Sequence, residues 1–320
     1  MRHRTRLIAT LTGGVLVAAM GLPAGPASAS APGTARATGT TAYSPAPSKG
    51  TGLTWYDPTS GQLTTWRLAA SGQVVGAFTM NATCNYASGC AAQWRPVAMT
   101  DVNGDGQRDA LWFNATTGIL SAWLINPTGQ VTGVLNLTGQ CGAGCSNQQR
   151  PVAVGDLNGD GHEDLFWFNP TTGILSAWLI NNAGQVLGTS SVNRTCGYGC
   201  SNQQRPVGVG DLNGDGTADM LWFNATTGVL SAWLLSPTGQ FLGGFNLTGQ
   251  CGYGCANQWR PVGLGDINRD GRTDMLWFNP TTGILSAWLL GPGGQVTGVL
   301  NLTGQCGTGC SSSWAPVDLM

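Results

Sequence analysis

The chain has 320 residues, of which 50 are glycine and 9% are charged, and its formal net charge is −1. An average soluble protein has about 25% charged residues. With Lys49 as its one lysine, the chain lacks the basic surface of a general nucleic-acid binder. Disorder is also excluded, because 42% of the residues are hydrophobic and 13 are tryptophan.

The N-terminus has the layout of a secretory signal peptide. Three arginines precede an apolar run from Leu7 to Leu22, and small residues at 27–29 follow as a cleavage site. A membrane anchor is the alternative, but threonines and glycines interrupt the run, which falls short of the roughly 20 apolar residues of a span. We therefore predict that residues 1–29 are removed and that the mature protein is secreted, extracellular and without a membrane span.

The next segment, residues 30–50, is rich in Ala, Pro, Thr, Ser and Gly and almost free of bulky apolar side chains. This composition predicts a flexible leader.

Most of the remaining chain is one unit repeated. Blocks that begin RPVA or RPVG start at Arg95, Arg150, Arg205 and Arg260, each 55 residues after the previous one, and Ala315 begins a fifth copy. A period of this size is typical of a solenoid or a propeller.

Each unit contains four apolar segments separated by turn signals. In the second copy they are Pro151–Gly155, Leu165–Asn169, Ile174–Ile180 and Gln185–Val192. The second segment is apolar on both sides, which indicates a sheet covered on both faces. Four antiparallel strands in about 50 residues make one propeller blade.

The two ends of the array complete each other. The pattern begins at Leu53–Tyr56, which aligns with a second strand, and ends at Ala315–Met320, which aligns with a first strand. Ring closure removes unpaired strand edges. We therefore predict an all-β, five-bladed β-propeller over 51–320, with four antiparallel strands per blade and the C-terminal strand paired beside residues 53–57. An open array completed by a partner is the alternative. The predicted blades are about 95–149, 150–204, 205–259, 260–314, and 315–320 together with 51–94.

Four acidic segments, called the aspartate loops here, join the first and second predicted strands at 101–109, 156–164, 211–219 and 266–274. Each has oxygen side chains at positions 1, 3, 5 and 9, the pattern that Ca²⁺ prefers, and position 7 varies as expected if only its carbonyl binds. A plain turn with Asx hydrogen bonds is the alternative. However, 12 of the 14 aspartates lie in these loops, and such like charges repel without a cation.

We predict four Ca²⁺ ions. The predicted ligands are Asp101, Asn103, Asp105, Gln107 and Asp109; Asp156, Asn158, Asp160, His162 and Asp164; Asp211, Asn213, Asp215, Thr217 and Asp219; and Asp266, Asn268, Asp270, Arg272 and Asp274. Arg269 stands where the other three loops have glycine, so the affinity of the fourth loop is expected to differ.

The frame DxNGDGxxD followed by an aromatic strand resembles the FG-GAP/VCBS-type repeats of integrin-alpha-like propellers and secreted bacterial lectin-like propellers. The resemblance covers residues 51–320. It implies calcium in the loop between the first and second strands of a blade. Propellers of this family are often seven-bladed, so the predicted number of five depends on the ends of this chain.

Ten cysteines form five local pairs in the sequence. An even number after a secretion signal favours disulfides. Zinc is the alternative, but no second cysteine pair or histidine lies nearby in the sequence. The pairs fall in the connections between blades, at the end of the ring opposite the aspartate loops. The predicted disulfides join Cys84 to Cys90, Cys141 to Cys145, Cys196 to Cys200, Cys251 to Cys255 and Cys306 to Cys310.

Candidate catalytic groups are few. The carboxyl groups outside the loop frames are Asp57, Glu163 and Asp318, and His162 is the one histidine after the signal peptide. Glycoside hydrolysis usually needs a close pair of carboxyl groups, and a Ser-His-Asp triad needs a free histidine. We therefore expect a protein that is not an enzyme.

Aromatic, amide and guanidinium side chains precede the first strands, a combination that suits neutral sugars. The predicted ligand-binding residues are Trp94, Arg95, Gln149, Arg150, Tyr198, Gln204, Arg205, Tyr253, Trp259, Arg260 and Trp314. Packing between blades is the alternative for the tryptophans, and hydrogen bonds to carbonyl groups around the channel mouth are the alternative for the arginines.

Together these features predict a multivalent carbohydrate-binding, lectin-like or adhesion module that binds a carbohydrate polymer or a cell-surface glycan. Several equivalent weak sites on one rigid ring gain avidity on such a ligand. The alternative is a protein-interaction hub or the recognition subunit of a larger extracellular complex, with an extracellular protein as partner. A polysaccharide-active enzyme is the third hypothesis.

Overall fold

The computed structural model describes residues 52–83, 93–137, 149–192, 204–247, 258–302 and 314–319. The described part is all-β, with twenty strands in five four-stranded antiparallel sheets. No helix in the described part has the length and apolar character needed to cross a membrane.

Several sequence-based predictions fall outside the described residues. They include the signal peptide at 1–29, the leader at 30–50 and all five disulfides. The pairing of the cysteines therefore stays a prediction. The ten cysteines outside the described residues are Cys84 and Cys90, Cys141 and Cys145, Cys196 and Cys200, Cys251 and Cys255, and Cys306 and Cys310.

In chain order the strands are β1 (Gly52–Asp57), β2 (Gln62–Leu68), β3 (Val74–Thr83), β4 (Trp94–Thr100), β5 (Asp109–Asn114), β6 (Ile119–Ile125), β7 (Val131–Asn136), β8 (Arg150–Gly155), β9 (Asp164–Asn169), β10 (Ile174–Ile180), β11 (Val186–Ser191), β12 (Gln204–Gly210), β13 (Asp219–Asn224), β14 (Leu230–Leu235), β15 (Phe241–Asn246), β16 (Arg260–Gly265), β17 (Asp274–Asn279), β18 (Ile284–Leu290), β19 (Val296–Asn301) and β20 (Ala315–Leu319). The strands predicted for the second copy agree with β8 to β11 to within one residue at each end.

The ring closes as predicted. The last strand, β20, is the inner strand of the sheet β20-β1-β2-β3. It runs antiparallel to β1, with Leu53 opposite Leu319 and Tyr56 opposite Ala315. The inner strands β4, β8, β12, β16 and β20 contact one another in turn around the axis. The prediction of a closed five-bladed β-propeller is confirmed.

Aromatic packing between adjacent sheets holds the ring together. Each second strand is buried along its length, as the apolar pattern predicted. Trp167 in β9 is fully buried. Its ring lies 4.6 Å from that of Trp178 in the same sheet and 5.7 Å from that of Phe113 in the preceding sheet. Equivalent aromatic contacts recur around the ring. The repeated tryptophans are therefore core residues that join blade to blade.

A cavity of about 340 Å³ follows the axis of the ring. Each inner strand contributes a valine at the same repeat position to its wall, namely Val97, Val152, Val207, Val262 and Val317. These valines lie at irregularities in the pairing of the first and second strands, where one inner-strand residue has no direct partner. The repeated valines therefore form an apolar ring around the axis, between the end with the aspartate loops and the opposite end of the propeller.

Candidate functional site

The four aspartate loops lie at one end of the ring, because each follows an inner strand and precedes the second strand of the same sheet. In the first loop, the carboxylate of Asp101 organises the turn by accepting hydrogen bonds from backbone N–H groups. Its Oδ1 accepts from Gly104 (2.8 Å) and Asp105 (3.1 Å), and its Oδ2 accepts from Gly106 (2.8 Å). The second and third loops repeat this arrangement. The sequence therefore coils each loop around the side chain at position 1.

Positions 3 and 5 continue the coil. Asn103 donates from Nδ2 to Oδ2 of Asp105 at 3.0 Å, and its Oδ1 accepts the Asp105 N–H at 3.0 Å. Oδ1 of Asp105 accepts the N–H of Gln107 at 2.7 Å. These side chains are the solvent-facing part of the loop.

The fourth loop differs from the other three in having arginine in place of glycine at position 4. Arg269 is the one residue other than glycine with a positive φ in the described chain, at 63°. Its Nη2 donates a hydrogen bond to the carbonyl of Leu68 at 3.2 Å, in the neighbouring fifth sheet. The arginine therefore adopts a conformation that favours glycine and gains a contact across the blade boundary.

Position 9 is a buried carboxylate. Asp109 is fully buried; its Oδ1 accepts the N–H of Ile125 at 2.8 Å and its Oδ2 accepts the N–H of Val102 at 3.2 Å. It thus connects the loop to the end of the third strand. The same two bonds recur at Asp164, Asp219 and Asp274.

Burial raises the pKa of these carboxyl groups, to about 7 at Asp109, about 6 at Asp164 and about 7 at Asp219, and upward also at Asp274. The hydrogen bonds from backbone N–H groups partly oppose the rise. Raised pKa values of this kind also occur in catalytic acids. Here their cause is the burial of a carboxyl group that connects the loop to the third strand.

The donor set of each loop fits Ca²⁺ in chemistry: three carboxylates, one amide oxygen and a backbone carbonyl. The buried carboxylate supports the fit, because the charges that raise the pKa of Asp109 are those of Asp105 and Asp101 in its own loop. In the described residues, the one ion pair is the 3.5 Å contact between Arg108 Nη1 and Glu163 Oε1. No three acidic, histidine or cysteine side chains in that part of the chain are grouped as a metal site requires. Calcium therefore stays a prediction.

The Arg108–Glu163 pair is a feature that the sequence reasoning missed. Both residues occupy position 8 of their loops, in successive blades, and both line the axial cavity. Arg108 Nη1 also donates to the carbonyl of Met99 at 2.8 Å. The sequence signal for this ion pair was the opposite charge of two residues one repeat apart, Arg108 and Glu163.

At the other end of the ring lie those predicted ligand-binding residues that the structure describes. Arg95, Arg150, Arg205 and Arg260 are exposed, whereas Gln149 and Gln204 are half-buried. Tyr198 and Tyr253 lie outside the described residues.

The tryptophans at this end pack between blades. Trp94 and Trp259 are half-buried against clusters that join neighbouring sheets. Trp314 is buried in the cluster between the fourth and fifth sheets. Packing between blades, the alternative to ligand binding for the tryptophans, is thus present at all three positions.

The fold and the site together define a class of protein. It is a five-bladed propeller in which four blades have an aspartate loop between their first two strands. A family model described as FG-GAP-like repeat matches residues 101–167, 156–222 and 211–277. The matches span more than half of the chain, which therefore belongs to the FG-GAP-like repeat family. A comparison with curated proteins found no match.

Several solved structures are similar at low identity. An Agrocybe aegerita lectin, solved to explain its recognition of non-reducing terminal N-acetylglucosamine, is 19% identical, with 68% of this chain and 55% of that chain covered and a TM-score of 0.44. A Photorhabdus luminescens Tc holotoxin pore is 14% identical, with coverages of 77% and 15% and a TM-score of 0.39. The periplasmic gluconolactonase of Pseudomonas aeruginosa is 13% identical, with coverages of 82% and 80% and a TM-score of 0.39. This chain thus spans about half of the lectin and a small part of the toxin chain.

Proposed function

We propose that this protein is a secreted, calcium-stabilised β-propeller that acts as a multivalent carbohydrate-binding or adhesion module. One observation carries the proposal: four inner strands present the same exposed arginine at equivalent positions on one end of a closed ring. Repetition of a surface group on a rigid frame suits a ligand that itself repeats, such as a polysaccharide.

The aspartate loops have a supporting role in this proposal. Asp101, Asn103, Asp105 and Asp109, with the carbonyl of Gln107, would hold one ion, and the other three loops would do the same. When bound, Ca²⁺ supplies positive charge to a group of carboxylates that otherwise repel one another. The loop joins the first and second strands, and the carboxylate at position 9 hydrogen-bonds it to the end of the third strand of the same blade.

Secretion and five local disulfides belong to the same proposal, supported by the N-terminal pattern and the cysteine pairs in the sequence. Expression in a secreting host is expected to give a mature protein that begins after Ala29 and contains no free thiol. N-terminal sequencing and mass spectrometry with thiol labelling measure both. Retention of residues 1–29, or ten reactive thiols, would contradict this part.

The binding proposal is tested with the mature, calcium-loaded protein on a glycan array and by pull-down on carbohydrate matrices with competing free sugar. We expect binding to at least one polymeric glycan, with release by the free oligosaccharide. Absence of binding to every glycan would overturn the proposal in favour of a protein-interaction hub.

A further inference from the structure

We propose that the arginine end of the ring, defined as Arg95, Arg150, Arg205 and Arg260, binds an anionic polysaccharide through the carboxylate or sulfate groups along its chain. The inference depends on the proposed carbohydrate-binding function and names the class of glycan. It follows from where the charges of this molecule lie.

Each inner strand separates opposite charges. Arg95 lies near the start of β4, and Asp101 follows the last residue of that strand. Six residues of extended chain span about 20 Å. The same order recurs from Arg150 to Asp156 and in the next two blades. The closed ring therefore has an acidic end and a basic end.

The basic end contains almost no acid to neutralise it. Of the 15 acidic residues, 13 lie in the aspartate loops, and Asp318 is the fourth of the five residues of β20, three positions after Ala315. The segments that lead into the four arginines, 84–92, 138–148, 193–203 and 248–257, contain no Asp or Glu.

The remaining acid, Asp57, lies at the arginine end. It follows Tyr56 in β1, and Tyr56 pairs with Ala315, which occupies the position equivalent to the arginines. Asp57 is buried, and its two oxygens accept hydrogen bonds from the N–H of Thr59 at 2.9 Å and the hydroxyl of Ser60 at 2.7 Å. Within the described residues, no carboxylate forms an ion pair with the four arginines. Their charge is therefore available to an external anion.

The exposed groups determine the class of glycan. A guanidinium group binds carboxylate or sulfate oxygens through two parallel N–H donors. Stacking on a neutral sugar ring needs an open aromatic face, but Trp94, Trp259 and Trp314 pack into the clusters between blades. Among the residues that the structure describes at this end, charge is available to a ligand to a greater extent than an open aromatic face. Several guanidinium groups on one ring match a polymer with one anionic group in every few sugars.

The fifth blade provides an internal control. Ala315 occupies the arginine position there, and it is exposed. Ala315→Arg therefore adds a fifth guanidinium to the ring at a position where the side chain faces solvent. A gain in affinity from this variant cannot result from misfolding.

The experiment measures binding of the mature, calcium-loaded protein to hyaluronan, dextran sulfate and neutral dextran of matched length. Hyaluronan tests carboxylate, and dextran sulfate tests sulfate. We expect binding to at least one of the two anionic polymers and about tenfold weaker binding to dextran, on the scale of several exposed ion pairs. The affinity should fall with salt, with a log–log slope that decreases by about one for each arginine removed.

Variants assign the effect to the arginine end. Arg150→Gln is expected to weaken binding about threefold, the double variant R150Q/R205Q about tenfold, and Ala315→Arg to strengthen it about threefold. Arg67→Gln is the control. Arg67 pairs with Gly52, at the end of β1 and β2 away from Asp57 and the arginine end, so its loss should change the affinity little. Thermal unfolding of each variant checks that the ring is intact.

Equal effects of R67Q and R150Q, or no gain from A315R, would overturn the inference. Polyglutamate and a DNA oligonucleotide are measured in parallel, and equally tight binding to either would also overturn it, since the ring would then not select a polysaccharide. Binding to neutral dextran that no arginine variant changes would overturn it but leave the proposed function in place. Failure to bind any glycan would remove the proposed function itself.

Discussion

The buried carboxylate at position 9 of an aspartate loop has two roles that substitution can separate. Asp219 accepts one N–H bond from Leu235 at 2.9 Å and one from Leu212 at 3.1 Å, and it is also a predicted calcium ligand. An amide keeps a single acceptor oxygen, so one of the two N–H groups would face another donor. The structural role exists without any ion, whereas the ligand role needs one.

We expect Asp219→Asn to lower the free energy of unfolding by about 1–3 kcal/mol in EDTA, the cost of a buried donor left without an acceptor. Asp215→Asn is the matched control, because Asp215 is an exposed member of the same loop, and its cost in EDTA should stay within about 0.5 kcal/mol. Urea unfolding with and without calcium measures both. Equal stability of the two variants in EDTA would contradict the structural role of position 9.

Arg269 provides a second test at a single residue. Its φ of 63° is costly for a side chain with a Cβ atom, and its hydrogen bond to Leu68 connects two blades. Arg269→Gly and Arg269→Ala both lose that bond, but only glycine removes the backbone cost. We expect the glycine variant to be more stable than the alanine variant by about 1 kcal/mol, measured by chemical unfolding in EDTA. A difference of the opposite sign would mean that the loop does not retain this conformation.

At the scale of the strand and loop, calcium stoichiometry tests the aspartate loops one at a time. We expect four ions per chain in the wild-type protein and three in Asp211→Ala, because Asp211 accepts the N–H bonds that coil its loop. Elemental analysis after gel filtration in trace calcium measures the number.

The matched control for this measurement is Asp57→Asn, which should keep four ions. Asp57 is the last residue of β1, outside the aspartate loops, and asparagine occupies the equivalent position at 114, 169, 224 and 279. A wild-type value of zero, or an unchanged value in Asp211→Ala, would contradict the assignment of calcium to these loops.

The elements were predictable because the repeat supplies several copies of each signal. The period of 55 residues, the turn residues and the apolar runs located the strands, and the unmatched ends at Leu53 and Ala315 predicted how the ring closes. What the sequence could not supply was the environment of single side chains. Trp94 and Trp259 lie at or immediately before the start of inner strands, where a ligand platform would also lie, and only the neighbouring blade determines that they pack between blades.

The aspartate loops show the same limit. Spacing places Asp101 and Asp109 in one candidate ligand set, but it does not reveal that Asp109 accepts two backbone N–H bonds and is fully buried. That property depends on Ile125, which lies 16 residues further along the chain. A contact of this kind is invisible to a motif, since the partner contributes only its backbone.

At the scale of the whole molecule, the ring depends on one pairing between its two ends. Strand β20 is the inner strand of the fifth sheet, and its partner β1 contains the fully buried Leu53 and Trp55. The stability of the propeller should therefore be sensitive to the last few residues of the chain and insensitive to the segment before residue 51. This asymmetry would not exist in an open array, where both ends are peripheral.

Deletion of residues 315–320 should consequently destabilise the entire ring. Loss of about four strand hydrogen bonds, at about 1 kcal/mol each, lowers the free energy of unfolding by about 4 kcal/mol before exposure of the apolar edge of β1 is counted. For a domain of this size the melting temperature should fall by about 10 °C. Deletion of residues 1–50 is the control, and it should leave the melting temperature unchanged. Calorimetry of the two truncated proteins measures the difference, and equal melting temperatures would show that the ring does not need its closing strand.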